Sequence, residues 1–310
     1  MTPDGIPDLN EVTKAVEAGS ALSKSLASIF PGVTIRSRAK AENKATDRML
    51  EDLKKIKDSQ DRLGLSDESI LEIMGNAVQR HSRNVNFSAV LEFAEPKIKS
   101  DSNPSSINRD WAENFRDHAE KACDDDVRRT WAAILAGEIN EPGSFSKRTL
   151  SILSDMGKRE AESFMKLCSY STGLALETTH GECILADLTP VLVKDPNGSS
   201  YNGGKITLTE LSTLESFGLI DKSMFFTRDI MKGAAFPFLA KDVLVIAESV
   251  DARKKINFME ASFRPAGLEL SRICGIGCAP DLADILSAMF KKNGLKVVTV
   301  PFNTKSIKRL

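Results

Sequence analysis

The chain has 310 residues, 41% apolar and 27% charged, and its 42 basic and 43 acidic side chains balance to a net charge of -1. That length suits two globular domains, and the charge balance lacks the basic excess of a dedicated nucleic-acid binder. No stretch approaches the roughly 20 apolar residues that a membrane helix needs. The start, MTPDGIPDLNEVTKAVEAG, is acidic and polar, unlike a secretory signal. The five cysteines, Cys123, Cys168, Cys183, Cys274 and Cys278, are an odd count that reads as reduced thiols of a cytoplasmic protein.

Pro3, Gly5 and Pro7 make residues 1–18 a flexible leader. Leu22, Leu26, Ile29 and Phe30 then fall on one helical face, which Pro31 and Gly32 end. Residues 19–32 are thus the one place for peripheral membrane contact. Interfacial helices pair such a face with several cations, however, and Lys24 stands alone, so packing on the protein's own core or on a partner is favoured. Residues 36–60 form a charge-laced helix whose stripe of Ala45, Met49, Leu53 and Ile56 suits one seam against another helix. Its cations are interleaved with Glu42, Asp47, Glu51 and Asp52, as on a solvated face.

Ser66 is the expected cap of the next helix, which begins with Asp67 and Glu68 and carries His81 near its end among Arg80 and Arg83. After Pro96, KIKSDSNPSS reads as a polar linker.

Residues 106–168 are the most tightly specified. Asn108 or Asp110 caps a helix with Trp111, Phe115 and Ala119 on one stripe. Asp124 to Asp126 cap the next, with Val127, Trp131, Ile134 and Leu135 on one face. Both tryptophans of the chain therefore belong to adjacent helices. Pro142 and Gly143 stop the second helix, Ser144 or Ser146 caps the following one, and Arg148 with Glu138 is a candidate pair locking the turn. Asp124 to Asp126 with Glu138 also invite a metal reading, but acidic runs at a helix start are usually caps. His118 and Cys123 lie one turn apart, which does not by itself pair them as a catalytic couple. No catalytic, cofactor-binding or metal site is assigned.

The run Trp131 to Leu153, WAAILAGEINEPGSFSKRTLSIL, together with Glu160, Ala161 and Phe164, resembles a bacterial family of unknown function, the one numbered 2806. Its signature is W-x-x-[IL]-[LF]-A-G-E-I-x-x-P-G-S-F-S-x-R-T-L. Asp110, Trp111 and Phe115 upstream, LTELSTLESFGLI at 208–220 and RPAGLELSRIC at 264–274 extend the resemblance over roughly residues 20 to 300. Arg264 departs from the pattern, which favours Thr, and this weakens the helix cap there. The resemblance brings no activity with it. Members are similar in plan to helical abortive-infection proteins of bacteria, a loose analogy that points to phage defence.

After Gly173 the periodicity changes to short apolar runs that suit strands. His180, Cys183, Cys274 and Cys278 could be combined into a zinc site, but the paired short spacings of such sites are missing, and buried thiols fit better. DPNGSSYNGGK at 195–205 is a loop without the Gly-Lys-Ser/Thr ending of a phosphate loop. Thr207 and Glu210 make a capping box for a helix with Leu208, Leu211, Leu214 and Phe217 inward, ended by Gly218. MFF at 224, VLVIA at 243 and INFM at 256 look like strands, and Pro265 starts a helix that includes Gly267, Leu268, Leu270 and Ile273. DLADILSAMFKKNG is a last amphipathic helix and KVVTV a closing strand.

The expected fold is α+β and mainly helical: a helical domain over 19–172 and a smaller winged-helix-like α+β domain over 173–310. The helix at 208–217 carries no Lys or Arg, so the winged-helix-like module reads as a packing or partner-binding unit. Structural or interaction candidates are Trp111, Phe115, Trp131, Glu138, Pro142, Gly143, Phe145, Arg148, Gly218 and Gly267. The favoured function is a non-enzymatic regulatory or protein-interaction protein, with a protein partner or self-association through helical seams and no cofactor. The alternatives are a nucleic-acid-binding regulator and an unrecognised metal-dependent hydrolase using Asp124, Asp125, Asp126 or Glu138.

Overall fold

Local capping chemistry sets where several helices begin in the computed structural model, which describes residues 26, 29–30, 38–177, 183–196, 198–222, 227–250, 254–257, 261–302 and 307–309. The leader expected over 1–18 and the MFF run at 224 lie outside the described residues. Two compact units divide the chain, Met1–Ser151 and Ile152–Leu310.

The first unit is helical. Helices α1 (Arg38–Asp58), α2 (Gln60–Leu63) and α3 (Asp67–Ala94) come first. Ser66 caps α3, its hydroxyl accepting the Ser69 amide at 3.2 Å. This helix does not end near His81. It runs on for thirteen residues because nothing breaks it before Pro96, and His81 instead meets the Thr46 hydroxyl of α1 at 3.1 Å. Leu53 of α1 is buried, and so is Ile70 of α3, which gives the expected seam a partner helix.

Helix α4 (Arg109–Ala119) is capped by Asn108, whose side-chain oxygen accepts the Trp111 amide at 3.1 Å. Helix α5 (Asp125–Asn140) is capped by Asp124, which accepts the amides of Asp126 and Val127. Five aromatic side chains form the core between these elements. Trp111 stacks on Phe115 at 5.1 Å, Trp131 meets Phe115 edge-on at 5.6 Å, and Phe87 and Phe30 complete the cluster. Leu26 and Phe30 are therefore buried, so two apolar residues of the 19–32 face lie in the protein's own core. Helix α6 (Lys147–Asp155) begins in the first unit, and the Ser146 hydroxyl accepts the Thr149 amide at its start.

The second unit opens with α7 (Lys158–Ser169), so compactness divides the chain before the periodicity changes at 173. The reason is that carbonyls at the end of α7, on Cys168 and Ser169, accept the amides of Gly277 and Ala279. The strands are β1 (Ser171–Glu177), β2 (Cys183–Pro190), β3 (Ser200–Tyr201), β4 (Ile206–Thr207), β5 (Ile220–Asp221), β6 (Thr227–Ile230), β7 (Ala235–Ala240), β8 (Val243–Glu248), β9 (Lys254–Asn257), β10 (Ser262–Phe263), β11 (Lys296–Pro301) and β12 (Ile307–Arg309). A six-stranded sheet runs β11-β8-β7-β1-β2-β12, antiparallel except for β12 against β2. The pairs β5–β10, β3–β4 and β6–β9 stand apart from it. Helices α8 (Leu208–Ser216), α9 (Pro265–Ser271) and α10 (Leu282–Lys292) complete the unit. The hairpin β7–β8 sits within the large sheet, while α8 and α9 are joined through β5 and β10. The protein is α+β and mainly helical.

Tyr170 is buried and donates to Asp281 at 2.8 Å. Burial first, and then this bond to a carboxylate, push its hydroxyl from about 10 up to about 12. A group whose folded value is raised adds stability below its unfolded value and loses it as pH rises through the folded value. The chain has two tyrosines, so a Tyr201→Phe variant leaves Tyr170 as the sole reporter. Its tyrosinate absorbance is expected to appear near pH 12, with stability declining between pH 10 and 12. Ionisation near pH 10 in the folded state contradicts the assignment.

Candidate functional site

The corner between α5 and α6 gathers most of the residues singled out in the sequence. Pro142 and Gly143 end the helix, with Gly143 at φ +87, a conformation that a side chain would strain. The chain then folds back so that the amides of Gly143 and Phe145 both point at the carboxylate of Glu138. They donate to its two oxygens at 2.7 and 2.9 Å. Glu138 is 3% exposed, so these bonds form out of water, where charge-assisted hydrogen bonds are strongest. The Trp111 indole N–H donates to the Phe145 carbonyl at 2.6 Å, which ties α4 to the same turn. The Phe145 ring lies over Gly137, where an added Cβ would come within 2.7 Å of Cε2. Trp111, Phe115, Trp131, Glu138, Gly143 and Phe145 thus form one clasp.

Arg148 is not part of it. Glu138 is held by backbone amides, and Arg148 is exposed on the first turn of α6. The expected Arg148–Glu138 lock is therefore corrected: a tight turn presents amide donors to the buried carboxylate before a long side chain can reach it. Pro142 is exposed as well.

The acidic run before α5 is equally engaged. Asp124 caps the helix and Asp125 pairs with Arg128 at 2.8 Å. Arg128 is 8% exposed and also donates to the Ala122 carbonyl at 2.9 Å and to the Asn86 side chain at 2.6 Å. Asn86 in turn donates to the Glu120 carbonyl. This hub joins α3, the α4–α5 turn and α5. The sequence reading missed it, although an arginine three residues after an aspartate in a first turn is a usable signal. Asn140 was missed too. Its oxygen accepts the Lys99 amide and the Ser102 hydroxyl, and its nitrogen donates to the Lys97 carbonyl, so it pins the linker after Pro96.

Among the described residues no cluster of three or more His, Cys, Asp or Glu side chains has the arrangement of a metal site. His118 lies parallel to Trp131 at 6.0 Å. His180 and the side chain of Cys183 lie outside the described residues. Cys278 is exposed and its thiol donates to the Gly275 carbonyl.

In the second unit, Gly218 ends α8 at φ +75 and releases the chain into β5. Gly267 lies directly over that turn: an added Cβ would stand 2.1 Å from the Leu219 carbonyl oxygen. That oxygen already accepts the Arg264 amide at 2.9 Å. The side chain of Arg264 does not cap α9 and reaches Asp221 of β5 at 3.1 Å instead. Thr207 and Glu210 do form the capping box. Burial raises the Glu210 carboxyl, but bonds from Lys166 and Thr207 outweigh it and leave it below the usual carboxylate range. Asp195 in the 195–205 loop is also held low, by the Ser200 hydroxyl and then the amides of Gly203 and Gly204. The loop's own carboxylate thus fills its cradle of amides.

Chemically, the site offers a rigid, aromatic-backed corner whose carboxylates hold backbone. This is a helical framework of an α+β protein. The family described as protein of unknown function (DUF2806) matches residues 75–281, about two thirds of the chain, and the chain belongs to that family. No curated protein and no solved structure matches it.

Proposed function

We propose that this chain is a non-enzymatic regulatory protein of the bacterial cytoplasm that acts by binding a protein partner through its helical unit. The observation that carries this reading is the state of Glu138. The buried acid at the centre of the Trp131–Leu153 run accepts two backbone amides, which builds a corner and leaves Arg148 exposed beside it. Leu71 and Val78, seven residues apart on one face of α3, are also exposed, as is Leu50 of α1. Such apolar side chains on a helical seam suit another helix. Among the described residues no helix is long and apolar enough to cross a membrane. The winged-helix-like module expected over 173–310 acts in this reading as a packing or partner-binding unit and not as a DNA reader. Helix α8 carries no basic residue, and its Glu210 and Glu215 pair with Lys166 and Lys222.

The loose analogy to abortive-infection proteins that the sequence suggests directs the test to phage infection. The full chain and a Leu71→Glu/Val78→Glu variant are expressed in a bacterial host, captured by affinity and analysed for bound protein and nucleic acid. Plating of phage is scored in parallel. The expected result is a protein retained by the native chain and lost by the variant, with altered plating. Nucleic acid retained at low salt by both would favour the DNA-binding reading. Unchanged plating with no captured protein would sink the proposal.

A further inference from the structure

We propose that the helical unit pairs with a second copy of itself through an antiparallel contact of α3 with α3, about a two-fold axis beside Gly75. The inference rests on the reading of the Leu71–Val78 face as a docking surface and names what occupies it.

Helix α3 is thinly packed over its first half. Among the described residues it buries Ile70 and then no side chain before Asn86. Its companion there is α1, which runs antiparallel alongside. Thr46 meets His81 at 3.1 Å, and Gln60, just past the end of α1, donates to Asp67 at 2.6 Å. A pair of helices with so thin a seam keeps a second face of each in water, and helical bundles close such faces with further helices.

The open face of α3 is patterned. Leu71, Gly75, Val78 and Ser82 follow at steps of four, three and four, so they form one stripe, and all four are exposed, Leu71 at 70%. Gly75 lies near its middle. Glycine inside a helix costs roughly 1 kcal/mol against alanine. The chain's own packing does not require it, since an added Cβ would meet nothing within 4 Å. Bare backbone at this point lets another helix come close.

Charge identifies that helix. From Asp67 to Leu91, every acid of α3 (Asp67, Glu68 and Glu72) precedes Gly75, and every base (Arg80, His81 and Arg83) follows it. An antiparallel copy with its axis at Gly75 sets the acidic half of each helix against the basic half of the other. It also brings Leu71 alongside Val78 of the second copy, once on each side of the axis. A parallel copy would set like charge on like. A two-fold contact demands a surface that complements itself, residue i meeting j and j meeting i, and an order of charge that reverses about one point meets that demand. Arg83 is shared, because it also meets Glu120 at 3.4 Å. Along α1 the charges interleave from Glu42 to Asp58. Their slight acidic excess beside the basic half of α3, and slight basic excess beside the acidic half, lessen the contrast without reversing it.

The test uses the full chain. Light scattering from micromolar to near-millimolar concentration is expected to show the mass climbing from 33.9 kDa towards twice that value. Two charge variants at exposed positions, Glu68→Lys/Glu72→Lys and Gln79→Glu/Arg80→Glu, should keep their circular dichroism and each weaken association by about tenfold. Mixing the two should restore a dimer with one chain of each, because the cations of one then face the acids of the other on both sides of the axis. Gly75→Cys should cross-link to its own copy under oxidised glutathione, while Leu71→Cys should not, with the native chain as the control for its own thiols. A native chain that stays monomeric throughout overturns the inference. If that chain still captures a different protein through Leu71 and Val78, the reading of the face as a docking surface stands. A dimer indifferent to both charge variants and uncross-linked at residue 75 also overturns it and places association elsewhere. A dimer that obeys them, with no other protein captured and phage plating unchanged, supports the inference and counts against the regulatory reading.

Discussion

Replacing Glu138 with alanine is expected to destabilise the helical unit by about 3 kcal/mol. Two effects oppose each other. Each charge-assisted bond to a backbone amide is worth roughly 1.5–3 kcal/mol, and Phe145 is buried, so its amide finds no ready substitute in water. Removing a carboxylate that is itself almost fully buried recovers part of its desolvation cost. The balance stays unfavourable, because Gly143 and Phe145 then lose the group that closes the turn. Glu138→Gln keeps the shape and one acceptor but sets an amide donor against a backbone N–H, so a loss about half as large is expected. The measurement is direct. The chain's only two tryptophans, Trp111 and Trp131, both lie in this unit, so a tryptophan-fluorescence urea curve reports it. An unchanged midpoint for both variants would contradict the clasp.

Gly267→Ala should destabilise the second unit by about 2–3 kcal/mol. Helix propensity alone argues the other way, since alanine within a helix gains roughly 0.5–1 kcal/mol over glycine. Sterics decide the sign. The added Cβ would stand 2.1 Å from the Leu219 carbonyl oxygen and 3.1 Å from the Phe263 ring. The carbonyl belongs to backbone that is also bonded to the Arg264 amide, so it cannot swing aside cheaply. Helix α9 must therefore lift from β5. Hydrogen exchange is expected to accelerate in β5, β10 and α9, while the tryptophan-reported transition stays in place. A stabilised variant would show that propensity wins and that α9 has room to move.

These two sites also show what can be read from sequence. Caps were legible because their chemistry is local: Asn108, Asp124 and Thr207 with Glu210 each bond an amide two or three residues on. The aromatic stripe of Trp111, Phe115 and Trp131 was legible from spacing. The partner of Glu138 was not. Sequence displays charges and hides backbone amides, so Arg148 looked like the natural mate. Asn140 acts on Lys97 to Ser102, about forty residues away, and no local pattern announces such a contact. The end of α3 is not legible locally, because Arg80 and Arg83 around His81 resemble a helix terminus, whereas Pro96 is the actual break. The position of β11 at the sheet edge depends on the order of six strands, which periodicity does not encode.

The clasp requires the carboxylate of Glu138 to be engaged with backbone rather than free for chemistry. Amide exchange at Gly143 and Phe145, compared between the native chain and Glu138→Gln, tests this most directly. Both amides should be strongly protected in the native chain and should exchange faster in the variant, in step with its lower tryptophan-reported stability. Rapid exchange at both positions in the native chain, with full stability retained by Glu138→Gln, would show an acid held ready for another role and would overturn the clasp.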